Sequence, residues 1–194
     1  NDIKVVIEYG MLSEDKFYDK ADNFALYPTT EGEYFTFDEL KENIKDQQTD
    51  KDDKLVILYA SEVDSQHSYI KQAKDKGYKV LLLDSPIIGH LIQKMEGSKD
   101  KISFARVDGD TLENLIKKDE TVISKISDKE KEKLKPIIED VVKEGGYTVQ
   151  LEPLDSKSLP FVLTQPEFMR RMKEMQQTGG GGMMGNMPDM YNLS

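Results

Sequence analysis

The fold is decided by the stretch Leu55-Val-Ile-Leu-Tyr59 and its counterpart from Tyr78 to Leu83. Short, continuous apolar runs of this kind predict strands that are buried on both faces, as in a parallel sheet. Between the two runs, Ser65 to Lys76 predicts a helix that stops at Gly77. The order strand, helix, strand predicts a right-handed crossover between parallel neighbours.

The alternation of strands and helices continues toward the C-terminus. Ser85-Pro86 predicts a helix start, with Ser85 as the N-cap and Pro86 in the first turn. The apolar stripe of this helix is formed by Ile87, Leu91 and Met95. The alternating stretch from Ile102 to Val107 predicts an edge strand. The whole pattern predicts an α/β fold, with a small parallel sheet in a three-layer α/β/α sandwich.

A short helical segment precedes this sheet. Residues 2–12 and 14–26 predict two helices, the second ended by Tyr27-Pro28 because the residue before a proline avoids helical geometry. Thr36-Phe-Asp-Glu39 is a capping box, in which two side chains satisfy free amides at a helix start. We predict a helix from there through Ile44 and a loop from Gln47 to Asp53.

An α+β segment follows the sheet. A highly charged helix is predicted from Asp128 onward, kinked or started by Pro136. Its predicted buried stripe consists of Leu134, Ile137, Ile138, Val141 and Val142. Residues 147–151 and 159–163 predict two strands around a turn, and residues 167–177 predict an amphipathic helix. Residues 178–189 are of low complexity and predict a flexible segment.

Composition excludes several classes of function. The 194 residues carry a formal net charge of −10, which disfavours nucleic acid and anionic membrane surfaces as partners. The absence of cysteine excludes disulfides and thiolate chemistry and fits a cytoplasmic location. The apolar runs are too short to span a bilayer, and no secretion signal opens the chain. The chain begins within an apolar pattern and without Met, so we interpret it as a piece of a larger protein.

Side chains suited to catalysis are sparse. The sequence has no phosphate-binding loop and no nucleophile elbow, and Gly179 to Gly182 predict a flexible linker. His67 and His90 lack neighbours at zinc-site spacing. Asp84 and Asp108 follow predicted strands at the sheet edge where ligands bind, but helix or turn capping is the favoured interpretation. We therefore predict no catalytic, cofactor-binding or metal-binding residues.

Methionines concentrate near the C-terminus, where seven of the nine lie between Met169 and Met190. Within the predicted amphipathic helix, Phe168, Met172 and Met175 share one face and Met169 is adjacent to it. A core stripe is the ordinary interpretation of such a pattern. However, Met specifies a unique core poorly, glycines follow at once, and more methionines continue beyond them. We therefore predict an adaptable surface that binds other proteins.

Several motifs follow one another in a specific order and spacing along essentially the whole chain. These motifs are Phe17-Tyr-Asp-Lys20, Phe24-Ala-Leu26, Thr36-Phe-Asp-Glu-Leu40, Leu55-Val-Ile-Leu-Tyr59, Gly77-Tyr-Lys-Val-Leu-Leu-Leu-Asp84, Leu134-Lys-Pro-Ile-Ile138 and Gln165-Pro-Glu-Phe-Met169 with Met172. In their order and spacing they resemble a known family, the heat-shock protein 90 chaperones in their bacterial form.

The resemblance implies the end of the middle domain and the start of the C-terminal domain. The implied divisions are a helical segment at 1–31, a small α/β subdomain at 32–122, and an incomplete C-terminal domain at 123–194. Members of the family are ATP-driven homodimers that bind partly folded client proteins. ATP and Mg²⁺ would then bind outside this chain, which would not itself be an enzyme. Client contact would map onto Phe168, Met169, Met172 and Met175.

Two alternative functions are compatible with parts of the sequence. Signal-sequence-binding modules also carry Met- and Gly-rich tails, but they are basic and helical, whereas this chain is acidic and carries a predicted parallel sheet. A small α/β enzyme using Asp84 or Asp108 would need further converging carboxylates, which the sequence does not supply.

Overall fold

The computed structural model describes residues 2–119, 126–145, 147–153, 160–171 and 191–194. The chain divides into two units, Asn1–Val107 and Asp108–Ser194. The first unit contains a three-stranded parallel sheet surrounded by helices. The predicted α/β fold is therefore confirmed.

The first unit alternates helices and strands after an opening helical pair. Its elements are α1 (Asp2–Ser13), α2 (Asp15–Ala21), β1 (Tyr27–Pro28), β2 (Tyr34–Phe35), α3 (Phe37–Gln48), β3 (Leu55–Ala60), α4 (His67–Asp75), β4 (Val80–Leu82), α5 (Ile88–Ser98) and β5 (Ile102–Arg106).

Strand β3 is the centre of this unit. All six of its residues are buried, so both faces of the strand are covered. The sheet order is β4-β3-β5, and both pairings are parallel. On one side β3 pairs with β5 from Leu55 onward, whereas on the other side β4 joins only at Leu58. Among the described strands, none therefore lies beside the first half of β3 on its second edge.

Gln48 fills that gap. Although we predicted a loop here, Gln48 is the last residue of α3 and is 0% exposed. Its Nε2 donates to the carbonyl of Val56 at 2.9 Å, and its Oε1 accepts from the amide of Lys79 at 2.7 Å. Thr49 forms a bridge to Leu55 directly beside it. The side chain thus supplies hydrogen bonds that a longer β4 would otherwise have supplied.

A hairpin that the sequence did not predict covers the outer edge of β4. Strands β1 and β2 are antiparallel, with Tyr27 opposite Phe35. In the connection, Thr29 bridges to Leu81 and the amide of Thr30 donates to the Val80 carbonyl at 2.9 Å. This pairing explains why the predicted helix at 14–26 is wrong at its end. The helix α2 stops at Ala21, and the chain turns to reach the sheet.

Helices α1, α2 and α5 pack together through a shared apolar core. The buried side chains at its centre include Met11, Ala21, Leu91, Ile92 and Met95. Polar contacts also join α2 to α5. The Tyr18 hydroxyl lies 2.8 Å from that of Ser98, and Lys94 contacts Asp15 at 2.8 Å.

The predicted helix signals are confirmed in two places and wrong in a third. Thr36 and Glu39 form the predicted capping box, and the Thr36 amide donates to the Glu39 carboxylate at 2.8 Å. Gly77 follows α4 with a φ of +78°, which glycine adopts without strain. Ser85, however, is not the N-cap of α5, because residues 86 and 87 form a turn and the helix begins at Ile88.

The second unit is built around another small sheet. Its elements are α6 (Leu112–Leu115), α7 (Asp128–Val142), β6 (Tyr147–Val149), β7 (Leu163–Thr164), a helical turn at 167–171 that we label α8, and β8 (Tyr191–Leu193). The sheet order is β6-β8-β7, parallel on the β6 side and antiparallel on the β7 side. The two strands that we predicted around a turn do not lie side by side, because β8, a strand that we did not predict, lies between them.

Helix α7 departs from its predicted burial. None of its residues is buried, and Ile137 and Val141 are 62% and 79% exposed. The apolar side of this helix that is half-buried carries Ile138 and Val142. The helix starts at a capping box that we did not predict, in which the Ser127 amide donates to the Glu130 carboxylate at 2.8 Å. Pro136 lies inside α7, so the helix does not start there, which was one of the two roles we predicted for this residue.

The position of Gln48 generates a stability prediction. Replacing Gln48 by Leu leaves the buried Val56 carbonyl and the Lys79 amide without these hydrogen bonds. Each buried polar group without a partner costs about 1–3 kcal/mol. We expect a decrease of roughly 2–4 kcal/mol in the free energy of unfolding, measured by urea denaturation followed by circular dichroism.

The matched control is the exposed neighbour Gln47, replaced in the same way. It should change stability by less than about 0.5 kcal/mol. Equal effects of the two substitutions would contradict the assigned role of Gln48.

Candidate functional site

The predicted client-contact residues fall at the start of α8. Phe168 is 73% exposed, and Met169 is half-buried. Met172 and Met175 lie outside the residues that the structure describes, as do the later methionines. The described part of the predicted face is therefore one large exposed aromatic ring and its immediate neighbour.

The opposite side of α8 is buried and charged. Arg170 is only 6% exposed, and its guanidinium pairs with Glu167 through two hydrogen bonds, one of them 3.0 Å from Nε to Oε2. Arg171 also donates to the same carboxylate at 2.8 Å. Residues two apart on a helix point in nearly opposite directions, so burial of Arg170 directs Phe168 toward solvent. We did not predict this pairing. Its signal in the sequence is the spacing, because Glu167 lies three residues before Arg170 and four residues before Arg171.

The electrostatic balance at Glu167 favours the charged pair. Burial alone would raise the pKa of this carboxyl group. Hydrogen bonds and charges from Arg170 and Arg171 outweigh that effect, and the pKa of Glu167 lies below its ordinary value. The carboxylate therefore remains ionised at neutral pH and holds both guanidinium groups at the helix start.

The small sheet fixes the place of α8. The backbones of Val162 and Ser194 exchange two hydrogen bonds, of 2.8 and 2.9 Å, which extend the ladder between β7 and β8. The amide of Gln165 donates to the carbonyl of Asp108 at 2.9 Å. Helix α8 begins two residues after Gln165. Phe168 therefore lies directly after a segment whose backbone is hydrogen-bonded within this unit.

The same stretch exposes further apolar side chains. Phe161 and Leu163 are 58% and 36% exposed, whereas the alternating residues Val162 and Thr164 are buried. Leu163 lies opposite Leu193 in the sheet, so the two side chains are on one face. The segment that leads into α8 therefore adds to the exposed apolar surface of this unit, a contribution that we did not predict from the sequence.

Within the part of the chain that the structure describes, the other side chains suited to catalysis or metal binding do not come together in a site. Asp84 is paired with Lys4 at 2.5 Å, and the hydrogen bond from Lys4 holds the pKa of Asp84 below its ordinary value. His67 and His90 lie exposed on α4 and α5. Among the described residues, no group of three or more His, Cys, Asp or Glu side chains could hold a metal ion. None of the helices that the structure describes has the length and apolar character needed to cross a membrane.

The pair between half-buried Glu167 and buried Arg170 predicts that stability depends on pH. Replacing Glu167 by Gln leaves the guanidinium of Arg170 buried without a counter-charge, which costs about 3 kcal/mol for a buried pair. Because the folded pKa of Glu167 lies below the unfolded value of about 4.3, the pair stabilises the fold fully above that value. The stabilisation is then lost as the pH falls through the folded pKa.

The measurement is thermal unfolding of both proteins between pH 7 and pH 3. We expect the difference in melting temperature between the wild-type protein and the Glu167→Gln variant to shrink as the pH falls. The control is Glu139→Gln, since Glu139 forms an exposed pair with Lys135 at 3.9 Å. A constant difference across the pH range would contradict the assignment.

Comparison with known proteins adds an independent line of information. No protein-family model matches the chain. The chain is 41% identical over 197 residues to the chaperone protein htpG of Bacteroides fragilis, which covers 100% of this chain and 29% of that protein. It is 40% identical over 195 residues to HtpG of Porphyromonas gingivalis, covering 98% of this chain and 28% of that protein. Among solved structures, the middle domain of a Plasmodium falciparum heat shock protein matches 54% of this chain and 43% of that chain, with a TM-score of 0.41 and 18% identity.

The similarity to the htpG relatives covers 98% to 100% of the chain, although the chain spans less than a third of the length of those relatives. The resemblance predicted from the residues is therefore confirmed: over its whole length, the chain is homologous to a segment of the bacterial htpG chaperones of the heat-shock protein 90 family.

Proposed function

We propose that the chain is part of an ATP-dependent molecular chaperone that binds unfolded or partly folded client proteins and assists their folding. The observation that carries this proposal is the exposed Phe168 on α8, opposite the buried Arg170. Homology to htpG chaperones supports the same class of function.

Phe168 has the properties of an anchor for non-native proteins. Unfolded chains expose apolar side chains, and the hydrophobic effect is not directional, so an exposed ring can accept many sequences. A ring that a client buries fully contributes about 1.5–3 kcal/mol. Met169 is adjacent and adaptable, and Met172 and Met175 remain our predicted extension of the same face.

The exposed side chains of Phe161 and Leu163 support a broader contact area. They belong to the segment that leads directly into α8, and they are apolar. Several such contacts, each individually weak, would give reversible binding of the kind a chaperone requires. We include these two side chains in the proposed client surface.

Further properties of the whole protein belong to the same proposal. The parts 1–31 and 32–122 would complete a middle domain, and 123–194 would begin a C-terminal domain. An ATP and Mg²⁺ site and the contacts of a homodimer would be supplied by other parts of a heat-shock protein that acts in the cytoplasm during stress. Neither nucleic acid nor a membrane would be a partner, consistent with the formal net charge of −10.

The client surface is tested by replacing Phe168 with Ser. Loss of one buried ring should weaken binding about tenfold or more. The measurement is fluorescence anisotropy of a labelled, permanently unfolded protein such as reduced and carboxymethylated α-lactalbumin, titrated with the chain.

The matched control is Ile137→Ser, since Ile137 is an exposed apolar residue on α7, away from the proposed surface in sequence. This variant should bind the unfolded protein as the wild-type chain does. If Phe168→Ser also bound with unchanged affinity while its circular dichroism spectrum stayed the same, the proposal for this surface would be wrong.

A second experiment addresses the nucleotide. We expect no heat of binding when ATP with Mg²⁺ is titrated into the 194-residue chain in a calorimeter. A saturable signal at micromolar ATP would contradict the proposal that the nucleotide site lies elsewhere in the whole protein.

A further inference from the structure

The first unit contains a cavity that the proposed function does not use. We call it the α1 cavity. It has a volume of about 340 Å³ and is bounded by three parts of the unit: α1, residues 24–28, and the end of β4 with α5. Ligand pockets begin at about 300 Å³, and a cavity of about 150 Å³ already admits benzene. The α1 cavity is therefore large enough for an organic molecule of roughly ten heavy atoms.

Most of the cavity wall is apolar. Ile7 and Met11 line it from α1, and Leu83, Ile88 and Leu91 line it from the opposite side. Phe24 and Leu26 also line it and are 57% and 59% exposed. Two large apolar side chains that border the cavity are thus more than half open to solvent, so an apolar guest would bury them as well as itself.

The wall of this largely apolar cavity also contains the buried carboxyl group of Glu8. Glu8 is only 7% exposed, and none of the described residues hydrogen-bonds to its buried Oε2 atom. An unpaired buried carboxylate is costly, because removal from water is not compensated by a partner. The cavity wall therefore contains a buried carboxyl oxygen for which the described residues supply no hydrogen-bond donor.

The other polar side chains of the wall do not donate a hydrogen bond to this oxygen of Glu8. Lys4 lies one helical turn before Glu8, but its ammonium is 2.5 Å from Asp84. The Tyr27 hydroxyl is directed to the sulfur of Met95 at 3.9 Å, and burial followed by nearby negative charge, including that of Glu8, raises the pKa of Tyr27. Tyr27 therefore remains a neutral phenol and adds no positive charge.

We propose that the α1 cavity binds an organic cation, with an ammonium or guanidinium group beside Glu8 and an apolar body against Ile7, Met11 and Leu91. A charged donor satisfies the buried carboxylate, and the apolar body occupies the remaining volume. An anion would be repelled by Glu8, and a neutral apolar molecule would leave the carboxylate unpaired. This inference is independent of the proposed client surface on α8.

The probes are 3-phenylpropylamine and its uncharged isostere 3-phenylpropanol, which have the same number of heavy atoms. Each is titrated into the full chain at pH 7 and followed by two-dimensional amide NMR. We expect the amine to bind at least about tenfold more tightly than the alcohol, since a hydrogen bond to a buried charge contributes more than a neutral one. The shifted amides should belong to α1, residues 24–28 and α5.

Two variants separate the charge of Glu8 from the shape of the cavity. Glu8→Gln keeps the side-chain volume and should remove the preference for the amine. Glu14→Gln makes the same change in net charge at an exposed residue outside the cavity wall and should retain the preference. Equal affinity for amine and alcohol in the wild-type chain, absence of binding, or a preference that survives Glu8→Gln would overturn the proposal. The comparison of the two probes on the wild-type chain requires no variant to fold.

Discussion

Complete burial of β3 is the constraint on which the first unit depends. A buried strand must pair its backbone groups along both edges, because an unpaired amide or carbonyl away from water is costly. Strand β5 satisfies one edge over most of its length, while β4 reaches only half of the other. Gln48 and Thr49 complete the pairing, so the C-terminal end of α3 serves the sheet as much as the helix. The connection of the β1–β2 hairpin pairs with the outer edge of β4, through Thr29 and Thr30.

In the second unit, a buried charge determines what faces solvent. Arg170 lies inside with Glu167, and Phe168 is consequently turned outward. This arrangement reverses the usual amphipathic pattern, in which the aromatic ring is buried and the guanidinium exposed. The exposed apolar surface is therefore maintained by specific hydrogen bonds instead of by a lack of packing partners. Such a surface has a defined position on the fold.

The sequence predicted those elements whose signals are local. The apolar run of β3, the capping box at Thr36 and the stop at Gly77 each depend on neighbouring residues, and the structure confirms them. Features that depend on distant partners were missed. Gln48 looked like part of a polar loop because its partners, Val56 and Lys79, are defined only once the sheet forms. In the candidate site, the exposure of Phe168 followed from the pattern, whereas the burial of Arg170 did not.

The order of strands in the second unit has a consequence for biosynthesis. Its central strand, β8, is the last of the three along the chain, and neither β6 nor β7 pairs with the other. While the chain is being synthesised, both outer strands emerge before the strand that joins them. The first unit has no such requirement, since its central strand β3 precedes β4 and β5. In the first unit each new strand can therefore add to β3 as it is synthesised, whereas the sheet of the second unit can form only after residues 191–193 have been synthesised.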